Sequence, residues 1–225
     1  MLQPIADGLW STTRRQRFLG VEVGTRMTIA RLADGGLFVH SPIALDDALR
    51  QAVDALGPVQ AIVAPSLFHN LYAAPWKTAY PTAVLCCCPG LEKKRPNIPW
   101  DRVLSDVPEP EWRADLDQVF FGARTMENEV VFLHRATRSI VLCDAVFNLS
   151  THPSPLTRAV SFFLTMGTRE AGATFLEHLM IRRRDDARAQ IDRMIAWNAE
   201  RIVLSHGDMI PTGATDLLRR AYAWL

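Results

Sequence analysis

The apolar positions follow two rhythms, one of short runs and one of helical stripes. Residues 27–32 and 37–40 are apolar-rich runs on either side of Asp34-Gly35-Gly36, the pattern of a β-hairpin closed by a tight turn. Residues 61–64, 139–142 and 202–204 are apolar runs short enough to be buried strands. Residues 81–90 read the same way and are stopped by Pro89-Gly90, while residues 119–121 give one more short strand. Residues 129–134 and 139–144, joined by a turn over 135–138, make a second hairpin. Helical spacing appears over residues 46–56, where Leu49, Val53 and Leu56 share a face. Asp46 and Asp47 suit the first turn there, and Gly57-Pro58 ends the helix. The last third is mainly helical. Ser154-Pro155 opens a helix running to Gly167, Asp185 or Asp186 opens one striped by Ile191, Met194 and Ile195, and Thr215 or Asp216 opens a third that runs to Leu225. Gly8-Leu9-Trp10 with Arg14, Arg15 and Arg17 reads as a surface entry segment, and Lys93 to Arg95 as part of a polar loop.

This alternation predicts an α/β protein, and with no repeat, low-complexity stretch or linker it predicts one domain over residues 1–225. Composition changes the picture little. Of 225 residues 48% are hydrophobic and 22% charged, with a formal net charge of +1, which gives no electrostatic reason to expect nucleic acid or an anionic membrane as partner. No apolar run reaches membrane-spanning length, and the first residues lack the basic and apolar regions of a signal peptide. Four cysteines, three of them consecutive at Cys86, Cys87 and Cys88, make a poor disulfide framework and suit a core strand. The expectation is a cytoplasmic protein whose partner is a small-molecule substrate or ligand. The dinucleotide, P-loop and nucleophile-elbow motifs do not occur.

The chemistry lies at strand ends. Residues 61–64 run into Pro65-Ser66-Leu67-Phe68-His69-Asn70, residues 139–142 into Cys143-Asp144, and residues 202–204 into Ser205-His206-Gly207-Asp208. Polar side chains at the carboxyl ends of buried strands are where α/β folds place ligands. With Glu129-Val-Val-Phe-Leu-His134 added, this order resembles the metallo-β-lactamase superfamily, and more narrowly a domain-of-unknown-function branch of it. The resemblance implies an αββα sandwich of two mixed sheets with helices on the outer faces. It departs at the ligand loop: residues 65–70 keep one histidine where the superfamily's His-x-His-x-Asp-His loop has four ligands, and Thr125-Met-Glu-Asn-Glu129 holds no histidine where Pro-Gly-His is usual.

Carried over residue by residue, the resemblance implies His69, Asp144 and His206 as ligands of one divalent ion. Imidazole with carboxylate suits zinc, iron or manganese, and three protein ligands leave a position open for water. The same three residues also fit a polar pocket without metal. His134 and Asp208 are the expected proton carriers, with His134 alternatively a fourth ligand or a solvated turn residue and Asp208 alternatively orienting His206. Glu127 and Glu129 are candidates to replace a lost ligand. Period-two alternation puts Glu129 and His134 on opposite faces of their strand, so one at most reaches the site. His40 falls near the site and His152 and His178 elsewhere, all three expected to be structural. The implied activity is metal-dependent hydrolysis of an ester or phosphoester. The alternatives are a non-catalytic ligand- or protein-binding module and, with iron, redox chemistry.

Overall fold

The computed structural model describes residues 1–124, 128–168 and 170–225. In chain order the first half carries strands β1 (Gln3–Ala6), β2 (Leu9–Arg14), β3 (Arg17–Phe18), β4 (Val21–Glu22), β5 (Thr25–Arg31) and β6 (Leu37–His40). Helix α1 (Asp47–Asp54), strand β7 (Val59–Ala64), helix α2 (Ala73–Ala79), strand β8 (Val84–Cys87), helix α3 (Leu91–Lys94) and strand β9 (Arg102–Val103) follow. The second half has β10 (Leu116–Phe121), β11 (Glu129–His134), β12 (Ser139–Leu142), α4 (Pro155–Leu164), α5 (Phe175–Met180), α6 (Arg184–Ala196), β13 (Arg201–Leu204) and α7 (Ala214–Ala221).

The first sheet runs β1-β2-β5-β6-β7-β8-β9 and the second β10-β11-β12-β13. Both are mixed: β6 to β9 pair in parallel, as does β13 with β12, and the remaining neighbours within these two sheets are antiparallel. Period-two alternation decides what each face of the second sheet covers. Val130, Phe132, Val141 and Val203 join the core shared with the first sheet, where Phe38 meets Phe132 edge-on at 5.0 Å. Val131, Leu133, Ile140, Ile202 and Leu204 point the other way, onto Ala187, Ile191 and Met194 of α6 and Leu217 and Leu218 of α7. On the outside of the first sheet α1 buries Leu49 and Val53, and α2 buries Trp76. The expected αββα layering is present.

Local signals account for most element starts. Asp46 accepts a hydrogen bond from the Leu49 amide and caps α1, and Ser154 does the same for Thr157 ahead of Pro155 at α4. Three expectations are corrected. The N-terminal segment is not a surface entry but two strands of the main sheet, with Leu9 fully buried; the alternation was hidden because Ser11 and Thr12 fill buried positions. The basic loop contains the helical turn α3. Helix α2, with Pro75 in its first turn where proline is tolerated, was not foreseen. Cys86, Cys87 and Cys88 are buried as expected, and Arg182, Arg183 and Arg184 are solvated at the start of α6.

Candidate metal centre

Three strand ends deliver three side chains to one point. His69 follows β7, Asp144 follows β12 and His206 follows β13, and their side chains are nearly buried. His69 Nε2 lies 3.1 Å from His206 Nε2 and 3.4 Å from Asp144 Oδ1, and His206 Nε2 lies 3.2 Å from the same oxygen. Ligand atoms about 2.0–2.1 Å from a tetrahedral zinc are themselves about 3.3–3.4 Å apart, so this triangle has the edges of one face of such a site.

The outer hydrogen bonds fix what those atoms are. His206 Nδ1 lies 2.8 Å from the Gly24 carbonyl oxygen, which can only accept. Nδ1 therefore carries a hydrogen, which leaves Nε2 as the nitrogen available to a metal. His69 Nδ1 lies 2.8 Å from Ser41 Oγ, a hydroxyl that can donate or accept, so the ring is held from behind with its Nε2 toward the cluster whichever nitrogen carries the hydrogen. Protons carried by the rings can bridge single edges of the triangle, whereas a dication engages all three atoms at once. Burial by itself would raise the Asp144 carboxyl, yet the neighbouring His69 and His206 hold it well below the usual carboxylate range. The donor set fits a divalent metal.

Neighbours hold each ligand in place. Ser66 Oγ donates to Asp144 Oδ2 at 3.2 Å, and the Phe147 ring stacks on His206 at 5.4 Å with 6° between planes. Gly207, with φ +93°, lets the chain pass so close to Asn148 that a Cβ would sit 1.7 Å from its carbonyl oxygen; this approach brings the 147–148 segment against His206.

Glu129 does not join the triangle as a substitute ligand. Its buried carboxylate accepts from the Asp144 amide at 2.6 Å and the Ala145 amide at 3.3 Å, and so clamps the turn that carries Asp144. Burial pushes Glu129 up to about 7, with Arg124 opposing and Asp144 adding to the rise. Arg124 in turn donates to Glu177 at 3.1 Å on α5. Glu127 lies outside the described residues.

Neither expected proton carrier joins the triangle. His134 pairs with Ser139 at the far end of β11 and its Nδ1 meets Thr137 Oγ1 at 2.7 Å, so it takes no part in the cluster. Asp208 does not orient His206, since Gly24 does; its carboxylate instead accepts from Thr151 Oγ1. Asp208 does face a cavity of about 350 Å³, lined also by Gly24, Arg26, Asn148, Ser205 and Gly207. His40 is buried near the cluster, and among the described residues neither of its ring nitrogens has a hydrogen-bond partner. Ser41, Ser66, Gly24 and Phe147 carried no signal in the sequence that marked them as partners of the ligands.

Comparison with known proteins agrees with this geometry at the level of fold. The chain matches solved structures titled as a metallo-β-lactamase from Pontibacter korlensis (12% identity, 99% of this chain and 97% of that one, TM-score 0.66) and from Erythrobacter litoralis with β-mercaptoethanol in the active site (10%, 100% and 96%, 0.67). It also matches FIM-1 from Pseudomonas aeruginosa in a mono-zinc form (14% identity, 100% and 95% coverage, TM-score 0.63). No curated protein matches. Among the described residues no helix is long and apolar enough to cross a membrane. The model of the family described as Domain of unknown function (DUF4336) matches residues 6–185, four-fifths of the chain. The chain therefore belongs to that family, in the form of a divergent metallo-β-lactamase fold.

Proposed function

We propose that this protein is a metal-dependent hydrolase of an ester or phosphoester, working from a mononuclear centre held by His69, Asp144 and His206. The observation that carries the reading is the convergence of two imidazole nitrogens and one carboxylate oxygen within 3.4 Å of one another, each supported from behind. FIM-1, of the same fold, is titled in a mono-zinc form, which gives a precedent for one ion in this architecture. When bound, a divalent cation polarises the oxygen of the scissile group and lowers the pKa of coordinated water.

The chain's own residues set the rest. Ser41 and Gly24 fix the two rings, so that neither spends its Nε2 on another partner. Glu129 and Ser66 hold Asp144 against both rings. Phe147 covers one face of His206 and keeps water off it. Asp208, in the wall of the adjoining cavity, is the carboxylate that exchanges a proton with a substrate bound there.

The test is metal analysis of protein purified without a histidine tag, followed by turnover of chromogenic ester and phosphoester substrates. The reading predicts about one equivalent of zinc, iron or manganese, with turnover that disappears on chelation and returns with metal. A metal-free protein whose stability no divalent ion changes would overturn it, and would favour a binding module.

A further inference from the structure

We propose that the cavity beside His206 is an anion subsite in which Arg26 binds a phosphate or carboxylate group of the substrate; the proposal rests on the hydrolase reading and narrows its substrate class. Arg26, on β5, is only 8% exposed and lines this cavity. Its Nη1 donates to the Leu204 carbonyl, and its Nε is buried with no acceptor among the described residues. Among the described residues no carboxylate lies within ion-pair distance of it. Burial lowers its pKa, while the Asp208 charge acts in the opposite direction.

A buried guanidinium whose charge no carboxylate balances is costly, and an anion in the cavity offsets that cost. Nε is closed to solvent and Nη1 is taken by Leu204, so the anion meets the part of the guanidinium that still faces the cavity, and its charge is felt at Nε. The other charges around the cavity are already engaged. Arg15 pairs with Glu22 at 2.5 Å, Arg14 with Asp46 at 2.7 Å, and Asp208 with Thr151. The lining holds three arginines, Arg14, Arg15 and Arg26, against Glu22 and Asp208, a balance of +1 before any histidine charge.

Position ties this subsite to the centre. Arg26 is bonded to Leu204, two residues before His206, and Gly24, two residues before Arg26, is the acceptor of His206 Nδ1. A substrate whose oxyanion rests on Arg26 thus lies against the loop that carries a metal ligand. The substrate class is a small ester or phosphoester that keeps a free anionic group besides the scissile bond.

The experiment uses metal-free, arginine-¹⁵N-labelled wild-type protein. Inorganic phosphate and, separately, acetate are titrated while the through-bond-assigned Arg26 Nε–H signal is followed. The expected result is a saturable shift of that signal with at least one of the two anions, and, by calorimetry, binding weakened on the order of 10- to 100-fold in Arg26→Lys. Zinc content is measured on both proteins and should be equal. An Arg26 signal that stays fixed through both titrations overturns the subsite, as does phosphate binding that appears only after zinc is added and leaves Arg26 unmoved. Should Arg26→Lys fail to fold, the wild-type titration decides alone. A protein that takes up no zinc yet shifts at Arg26 would sink the hydrolase reading and leave the subsite standing.

Discussion

His206 and His40 are both buried imidazoles close to the same cluster, and they are solvated by the protein in opposite ways. His206 has its Nδ1 on the Gly24 carbonyl and its Nε2 facing His69 and Asp144. Among the described residues His40 has neither nitrogen bonded, and it meets the edge of Phe132 at 5.7 Å. Burial is therefore not what makes an imidazole a ligand. A ligand needs one nitrogen held from behind and the other aimed at further donors of electron density. His40 has only the burial, and burial, with His69 nearby, pushes it down to about 3.

The contrast is sharpest if His206 is removed. His206→Ala should weaken zinc binding by more than about 100-fold, beyond the 10- to 100-fold expected for losing an outer partner, as read by competition with a chromophoric chelator. His40→Ala should leave zinc affinity within about 3-fold of wild type. Comparable losses in both variants would erase the distinction.

The outer partner can be tested by itself. Ser41→Ala removes the group behind His69 and should cost about 10-fold in zinc affinity while the fold stays intact by circular dichroism. No loss would mean that the His69 ring is held by packing alone.

The next effect lies in stability against pH. His40 is depressed in the folded state, from an ordinary 6.5 to about 3, so the unfolded chain binds its proton first as pH falls. Its contribution to stability is complete above pH 6.5 and is lost progressively between about 6.5 and 3. His40→Leu should flatten the fall in melting temperature over that window and, by removing two unsatisfied polar atoms, leave stability at pH 7.5 equal or higher. An unchanged acid slope would show that other groups cause it.

How much of this was legible in the sequence follows from how each residue is placed. His69, Asp144 and His206 could be found because each follows a short apolar run; parallel pairing of β12 with β13 puts Asp144 and His206 at one edge, and His69 meets them from β7 of the facing sheet. Glu129 drew notice as an acid near the site, but its task depends on the turn after β12 folding back over the first residue of β11, which no spacing reveals. His134 was misplaced for a matter of length. Alternation assigned it a face, yet five residues of strand, about 16 Å, separate it from Glu129. Gly24 and Arg26 were hidden because β2 and β5 bury Ser11, Thr12, Arg26 and Thr28, which blurs the apolar rhythm of the N-terminal sheet. The layers themselves were legible, since every strand of the second sheet alternates cleanly between its two covers.

The smallest effect belongs to His134. Bonded to Thr137 at the far end of its strand, it should tolerate replacement by glutamine with a stability change within about 1 kcal/mol and no change in zinc stoichiometry. A loss of metal there would mean that the two ends of β11 are coupled in a way the geometry does not provide.

X-ray absorption at the zinc edge of protein loaded with one equivalent addresses the central claim most directly. Two imidazole nitrogens and one carboxylate oxygen from the protein, with scattering lost in His206→Ala, is the predicted result. A zinc environment containing sulfur, a first shell unchanged in His206→Ala, or a protein that takes up no zinc would contradict it.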